Sequence, residues 1–167
     1  MNRLMKTQGF LFDEIDRYAE LVPERDATPI YEKIHAVGSG KIGYILGLQR
    51  GLDPDLAAAA ATIHDYGRIV TGKQEGHAEA GYEPVQEFLR RTELYTEEEI
   101  QALALAVKNH SRKSEVGSPL EEIAKDADVL DFHQYGYTMP RQEQQDRLDA
   151  LLAAGWDGKT PIAPPEK

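Results

Sequence analysis

The feature that most constrains the fold is an alanine-rich run that begins after Asp53-Pro54 and ends at an adjacent histidine and aspartate. An aspartate followed by proline has the form of a helix N-cap with proline at the first helical position. Five consecutive alanines follow, and alanine favours helix while letting neighbouring elements pack closely. The run therefore predicts a buried helix that carries two potential metal ligands, His64 and Asp65, to its end.

The other periodic segments also favour helices, and none alternates apolar and polar residues long enough to predict a strand. Proline, glycine and capping signals divide the rest of the chain. They predict helices over Phe10 to Val22, Pro29 to Gly51, about Glu75 to Arg91, Thr96 to His110, from Ser118 onward, and Arg141 to Ala154. The chain is thus predicted to be one all-α domain over residues 1–167, a helical bundle.

Three parts of the chain are predicted to depart from regular helix. The polar, glycine-containing segment from Gly67 to Gly76 is predicted to be a loop, and Pro84 is expected to kink or break the helix that follows it. The tail from Gly155 contains three prolines and is predicted to be irregular. Its Trp156 is expected to dock on the body of the protein, because an exposed tryptophan is costly.

Composition excludes several kinds of site and partner. The chain has no cysteine, which rules out disulfides, thiolate metal sites and cysteine nucleophiles and favours a cytoplasmic location. A net charge of -10 argues against nucleic acid polymers, although a metal would offset the charge of a small phosphorylated substrate. No stretch approaches the roughly 18 apolar residues of a membrane span, so no membrane partner is expected. The oligomeric state stays open.

Histidines and aspartates recur at wide spacing along the predicted helices. Neutral imidazole and ionised carboxylate suit divalent iron, manganese, cobalt, nickel or zinc. Side chains from facing helices converge inside a bundle, which accounts for the wide spacing of the candidates. The candidates are His35, His64, Asp65, His77, His110 and the acidic pair Asp126 and Asp128. They predict a buried site for one or two divalent transition metal ions.

The order His35, His64-Asp65 and Asp128 resembles the H…HD…D signature of the HD-domain superfamily of metal-dependent phosphohydrolases. The resemblance covers about Tyr31 to His133 and includes the apolar helix before the pair. It implies an HD-type helical bundle. It also implies that the aspartate after alanine in the last motif is the ligand, and leaves open whether the neighbouring aspartate shares that role.

Gly76-His77 and Asn109-His110 resemble the surroundings of the two extra histidines in dinuclear HD subgroups. The resemblance implies that Asp65 bridges a first metal, held with His35, His64 and Asp128, to a second metal held by the two extra histidines. If only one metal binds, the extra histidines are expected to contact substrate instead.

The function implied is hydrolysis of a small phosphate ester, a nucleotide being one candidate, by metal-activated water. Asp65 is the candidate catalytic residue, which would hold the metal and orient the water or accept its proton. Arg68 and Lys73, in the predicted loop after the pair, are candidate substrate-binding residues, because arginine and lysine neutralise phosphate. Lys113, after His110, is a weaker candidate.

Two other functions fit the same residues. A few HD proteins with this six-ligand order resemble mixed-valent diiron oxygenases, which cleave carbon–carbon or carbon–phosphorus bonds. A non-catalytic sensor that binds a metal or a nucleotide is the third reading. The segment Gly38 to Gly43 also spells GxGxxG, but no strand precedes it as a nucleotide loop requires, and close helix packing at Gly43 and Gly47 is the favoured explanation.

Overall fold

Helices make up the regular secondary structure of residues 2–158, which are the residues that this computed structural model describes. They run in the order α1 (Arg3–Leu21), α2 (Pro29–Gln49), α3 (Pro54–Ile63), α4 (Tyr66–Thr71), α5 (His77–Ala80), α6 (Tyr82–Thr92), α7 (Glu97–Asn109), α8 (Pro119–Gln134) and α9 (Gln142–Ala153). The predicted all-α fold is confirmed. The three prolines of the predicted irregular tail lie outside the described residues.

The close contact between α2 and α3 explains the alanine run and the glycines opposite it. A Cβ atom added at Gly43 would lie 2.6 Å from the Cβ of Ala61, and one at Gly47 would lie 2.7 Å from the Cβ of Ala57. Only glycine facing alanine allows the two backbones to approach so closely. The packing role predicted for these glycines is confirmed, and the GxGxxG pattern lies within helix α2.

Helix α3 lies between two apolar clusters and contributes to both of them. The first cluster packs α3 against α1, α6 and α7, with Ile15, Phe88 and Leu103 fully or nearly fully buried. The second packs α3 against α2, α8 and α9, through residues such as Leu46 and Leu130. The partly buried Trp156 packs against this second cluster, as the sequence predicts.

The residues after His64 differ from the predicted loop. Helix α3 ends at Ile63, and a short turn leads directly into helix α4 instead of an open loop. The carbonyl of Asp65 accepts hydrogen bonds from the main-chain N–H groups of Arg68 and Ile69, which starts the new helix. Gly72, with φ of 72°, ends it in the left-handed conformation, so only the segment after it is non-helical.

The helix predicted from about Glu75 to Arg91 is divided into two. The break lies at Gly81, and Pro84 falls in the first turn of α6, where its missing N–H breaks no helical hydrogen bond. Gly81 is packed against Gly67, since a Cβ atom added at Gly81 would lie 2.8 Å from the Gly67 nitrogen. This contact sets the position of α5 against α4.

Capping residues fix several helix starts. Thr96 and Glu99 form a reciprocal capping box at the start of α7, where the sequence predicts a helix. At α8, Ser118 accepts a hydrogen bond from the Glu121 N–H, whereas the Glu121 carboxylate binds Asn109, so only half of a capping box forms. Within residues 2–158, no helix combines the length and apolarity that crossing a membrane requires.

Candidate metal centre

The structure brings together the six residues that the sequence predicts as metal ligands, although they come from five parts of the chain. His35 lies in the middle of α2, His77 opens α5, and Asp128 lies on α8. His64 and Asp65 form the turn between α3 and α4, and His110 immediately follows α7. The four histidines and Asp65 are buried, and Asp128 is partly buried.

Four ligand atoms form a first group. The Nε2 atoms of His35 and His64 are 3.2 Å apart. Asp65 Oδ2 lies 3.5 Å from His35 Nε2 and 3.3 Å from His64 Nε2, and Asp128 Oδ1 lies 3.3 and 3.6 Å from the same two nitrogens. Atoms bound to one metal at about 2.0–2.2 Å lie roughly 3 to 3.6 Å apart, so this spacing fits a single ion.

Three ligand atoms form a second group on the other side of Asp65. His77 Nε2 lies 2.9 Å from His110 Nε2 and 3.0 Å from Asp65 Oδ1. His110 Nε2 lies 3.4 Å from the same oxygen. The Asp65 carboxylate therefore presents one oxygen to each group, because its position at a tight turn between two helices frees it from the spacing of a regular helix.

Each of the four histidines has its other ring nitrogen fixed by an acceptor. His64 Nδ1 lies 2.6 Å from the Ala61 carbonyl, and the Nδ1 atoms of His77 and His110 likewise face main-chain carbonyls at 2.6 and 2.7 Å. His35 Nδ1 lies 2.6 Å from the carboxylate of Asp131. A carbonyl oxygen can only accept, so Nδ1 carries the proton and Nε2 presents a lone pair to the centre.

Inward-facing lone pairs of this kind are suited to binding a cation. In each group two imidazoles direct Nε2 atoms at each other across about 3 Å, and when both rings are neutral neither nitrogen has a proton to donate. Two ionised carboxylates complete the donor set. The arrangement fits a divalent metal ion in each group, and the lack of thiolates restricts the donors to nitrogen and oxygen.

The electrostatics of the first group also favour positive charge. Burial alone would lower the pKa of His64, but the carboxylates of Asp65 and Asp128 outweigh burial and raise that pKa to about 10. Burial would raise the pKa of Asp65, yet the Arg68 guanidinium and His64 hold it well below its usual range. Both carboxylates are therefore ionised at neutral pH, since Lys113 and the histidines similarly lower the pKa of Asp128 against burial.

Arg68 lies at the centre, but its guanidinium is already engaged. It forms two 3.0 Å hydrogen bonds to the Glu32 carboxylate, and Nη2 also lies 2.5 Å from Asp65 Oδ2. Its Nη1 donates to Gln74 at 2.8 Å. Arg68 is 6% exposed. It holds Asp65 in place with four of its five N–H groups directed at these partners, and it also lines the cavity beside the centre.

Lys73, the second residue predicted to bind substrate, lies away from the centre. It follows Gly72, its side chain is largely exposed, and its Nζ lies 3.8 Å from the Asp26 carboxylate. The cavity beside the metal ligands does not include Lys73 among its lining residues in the described chain. The observed position of Lys73 differs from the predicted one because the segment before it is helical and turns the side chain outward.

Two other charged residues at the centre were not assigned these roles from the sequence. Asp131 lies one helical turn after Asp128 and binds His35, and the absence of a side chain at Gly38 leaves room for its carboxylate. The i, i+3 spacing of the two aspartates was a signal that could have indicated Asp131. Lys113 is buried, and its Nζ lies 2.6 Å from Asp128 Oδ2.

The structure separates the roles of the two neighbouring aspartates on α8. Asp126 faces away from the histidines and forms ion pairs with Arg50 at 2.5 Å and Arg147 at 2.6 Å. Asp128 faces His35 and His64. Asp126 therefore ties α8 to α2 and α9 and does not share the position of Asp128.

A cavity of about 530 Å³ opens above the centre. Its floor includes Asp65 and Asp128, and part of its wall comes from Pro140, Arg141 and Gln144 at the start of α9. The volume is in the range of sites for small molecules, roughly 300 to 1,000 Å³. A small ligand can therefore reach the ligand groups from one side.

The comparison with known proteins agrees with this architecture. The family model described as HD domain matches residues 33–133, which is more than half of the chain and includes all six residues of the two groups. Neither the curated proteins nor the solved structures contain a match to the chain. On the extent of the family match, the chain belongs to the HD domain family.

Proposed function

We propose that the chain is a metal-dependent phosphohydrolase that acts on a small phosphate ester. The observation that carries the proposal is the pair of ligand groups that share Asp65, each with inward-facing Nε2 lone pairs. A metal bound at such a site lowers the pKa of its water and polarises a phosphoryl oxygen. HD domain membership supports a metal-dependent, hydrolase-type activity.

The proposed ligands follow from the two groups. His35, His64, Asp128 and Oδ2 of Asp65 would hold one divalent ion. Oδ1 of Asp65, together with His77 and His110, would hold a second. The donor atoms are nitrogen and oxygen, which suit iron, manganese, cobalt, nickel or zinc without selecting one of them.

The remaining residues would hold the site in shape and receive the substrate. Arg68 fixes Asp65, whose carboxylate would orient the attacking water from the floor of the cavity. Arg141 also lines the cavity, and its partly exposed guanidinium donates to the Ser111 carbonyl and pairs with Glu143. The size of the cavity and the acidity of the chain favour a small phosphorylated molecule over a nucleic acid.

The test is to measure metal content and phosphate release for the purified protein and for His64→Ala and Asp65→Ala variants. A panel of small phosphate esters, including nucleotides, serves as substrate. Both variants should lose metal and at least about 100-fold in rate, since each removes a ligand. His133→Ala, which changes an exposed histidine, should behave like the wild type. Folded variants that keep full metal content and full hydrolysis would refute the proposal.

The same shared Asp65 also fits a diiron oxygenase, because a carboxylate bridging two nitrogen-rich groups suits two iron ions. The two functions differ in their need for oxygen. Two equivalents of iron and turnover that stops under anaerobic conditions would support the oxygenase. Phosphate release at the same rate with and without oxygen would support the hydrolase. Tight binding of a metal or a nucleotide without turnover of the panel would support a sensor.

A further inference from the structure

Lys113 lies in the turn after α7 with its ammonium group deep in the protein. Its side chain is 1% exposed. Nζ lies 2.6 Å from Asp128 Oδ2 and donates a second hydrogen bond to the Lys125 carbonyl at 3.3 Å. A buried lysine is costly unless its charge is paired, so the contact with Asp128 is required for this arrangement.

The two oxygens of Asp128 consequently have different partners. Oδ2 is held by Lys113, while Oδ1 faces the Nε2 atoms of His35 and His64 at 3.3 and 3.6 Å. A carboxylate can bind a metal through one oxygen or through both. With one oxygen held by an ammonium group, Asp128 has a single oxygen left for the first ligand group.

The main chain of Lys113 is itself held by α9. Arg147 donates to the Lys113 carbonyl through Nε at 3.0 Å and Nη2 at 2.8 Å. Its Nη1 lies 2.6 Å from Asp126 and 2.8 Å from Glu122, both on α8. Arg147 therefore fixes the turn that carries Lys113 relative to the helix that carries Asp128. Helix α9 lies outside the residues matched by the family model.

We propose that Lys113 is a positioning residue that limits Asp128 to one metal-facing oxygen and so keeps a coordination position open toward the cavity. Arg147 holds the main chain of Lys113 in the position that this role requires. The inference rests on the proposed metal site and is independent of which reaction the site catalyses. Without the ammonium group, the second oxygen of Asp128 is free to turn toward the metal and occupy the position that water or substrate needs.

The test compares Lys113→Met with Lys125→Met in protein loaded with Co²⁺. Lys125 is also a buried lysine, but its Nζ pairs with Glu122 and does not contact a proposed ligand. The visible absorption of Co²⁺ weakens as its coordination number rises, so it reports the added oxygen directly. Lys113→Met should bind the same equivalents of Co²⁺ no more weakly than the wild type, with weaker visible absorption. The spectrum of Lys125→Met should match the wild type.

Activity gives a second measurement. The turnover number of Lys113→Met should fall about 10- to 100-fold with KM little changed, the size of effect seen when residues behind metal ligands are altered. Lys113→Gln, which keeps a donor for Asp128, should restore the wild-type spectrum. If Lys113→Met does not fold, Arg147→Gln tests the same contact by loosening the Lys113 main chain. The visible absorption of Co²⁺ in Arg147→Gln should then be weaker than in the wild type.

Three outcomes would overturn the inference: a wild-type spectrum in folded Lys113→Met, an equal spectral change in Lys125→Met, or no Co²⁺ bound by the wild-type protein. A wild type that binds Co²⁺ but releases no phosphate would contradict the proposed hydrolysis alone, because the spectral comparison does not depend on turnover.

Discussion

The contact between Gly67 and α5 makes a sharp prediction for Gly67→Ala. A Cβ atom at this position would overlap the His77 carbonyl oxygen and lie 2.7 and 2.9 Å from the nitrogen and Cα of Gly81. All three atoms belong to the backbone, so no side chain can rotate away to make room. The methyl group must therefore push α5, and with it His77, away from Asp65.

The expected cost follows from two opposing effects. Forcing a methyl group into a tightly packed contact costs about 1–3 kcal/mol, and backbone neighbours place this case at the upper end. Alanine in a helix gains about 0.5–1 kcal/mol over glycine. The net loss in the free energy of unfolding is about 2 kcal/mol, which corresponds to a melting temperature lower by roughly 4–8 °C in a chain of this size.

Gly9→Ala is the matched control. Gly9 lies within α1, and an added Cβ atom there has no neighbour within 4 Å, so this variant should gain about 0.5–1 kcal/mol. Urea unfolding and calorimetry measure both changes. Metal analysis should show that Gly67→Ala loses the ion proposed at His77 and His110 before the other ion. A Gly67→Ala protein as stable as Gly9→Ala, with unchanged metal content, would refute the reasoning.

Three further predictions concern the first apolar cluster and the metal. Tyr66→Phe removes the 2.7 Å hydrogen bond from the buried hydroxyl to Glu14 and should cost about 1.5–3 kcal/mol in urea unfolding, whereas Tyr135→Phe, an exposed site, should cost almost nothing. Burial raises the pKa of Glu14, but Arg17, Tyr66 and Arg91 outweigh it and lower the pKa below 4.5. The folded pKa is thus below the unfolded one, so the stability contributed by Glu14 is complete above about pH 4.5 and is lost as the pH falls through the folded pKa. The stability difference between wild type and Glu14→Gln should therefore shrink with acid, and a constant difference from pH 6 to 3 would contradict it. Finally, a metal at about 100 times its dissociation constant should stabilise the protein by about 2.7 kcal/mol, and a chelator should reverse the rise in melting temperature. An unchanged melting temperature would argue against metal binding to the folded state.

The helices were predictable wherever local signals agreed with the packing. Asp53 accepts hydrogen bonds from the N–H groups at the start of α3, as its sequence context predicts, and the capping box at Thr96 forms in full. Helix α4 was missed because its six residues depend on tertiary contacts more than on propensity, and Gly67 suggested an end where the structure needs a close approach.

The ligands of the candidate site could be predicted from the sequence, whereas the residues that hold those ligands in place could not. The ligand types and their order are visible in the sequence, so their convergence could be expected. The pairing of Arg68 with Glu32 joins residues 36 positions apart, and Lys113 reaches Asp128 through the turn after α7. No local pattern encodes such contacts, so the sequence indicates Arg68 and Lys73 as substrate-binding candidates but does not predict that Arg68 pairs with Glu32 or that Lys113 pairs with Asp128.

The charge balance of the centre supports the proposed phosphate substrate if both proposed metal ions bind. Four buried or partly buried carboxylates surround the two ligand groups, and two buried cations pair with them: Asp65, Asp128, Asp131 and Glu32 against Arg68 and Lys113. With neutral histidines, the four negative charges and two positive charges leave the centre with a charge of about -2, which accounts for the raised pKa of His64. Two divalent ions would reverse this to about +2, because the protein cations already neutralise part of the carboxylate charge. The cavity above would then attract a doubly charged phosphate monoester more strongly than a neutral ester.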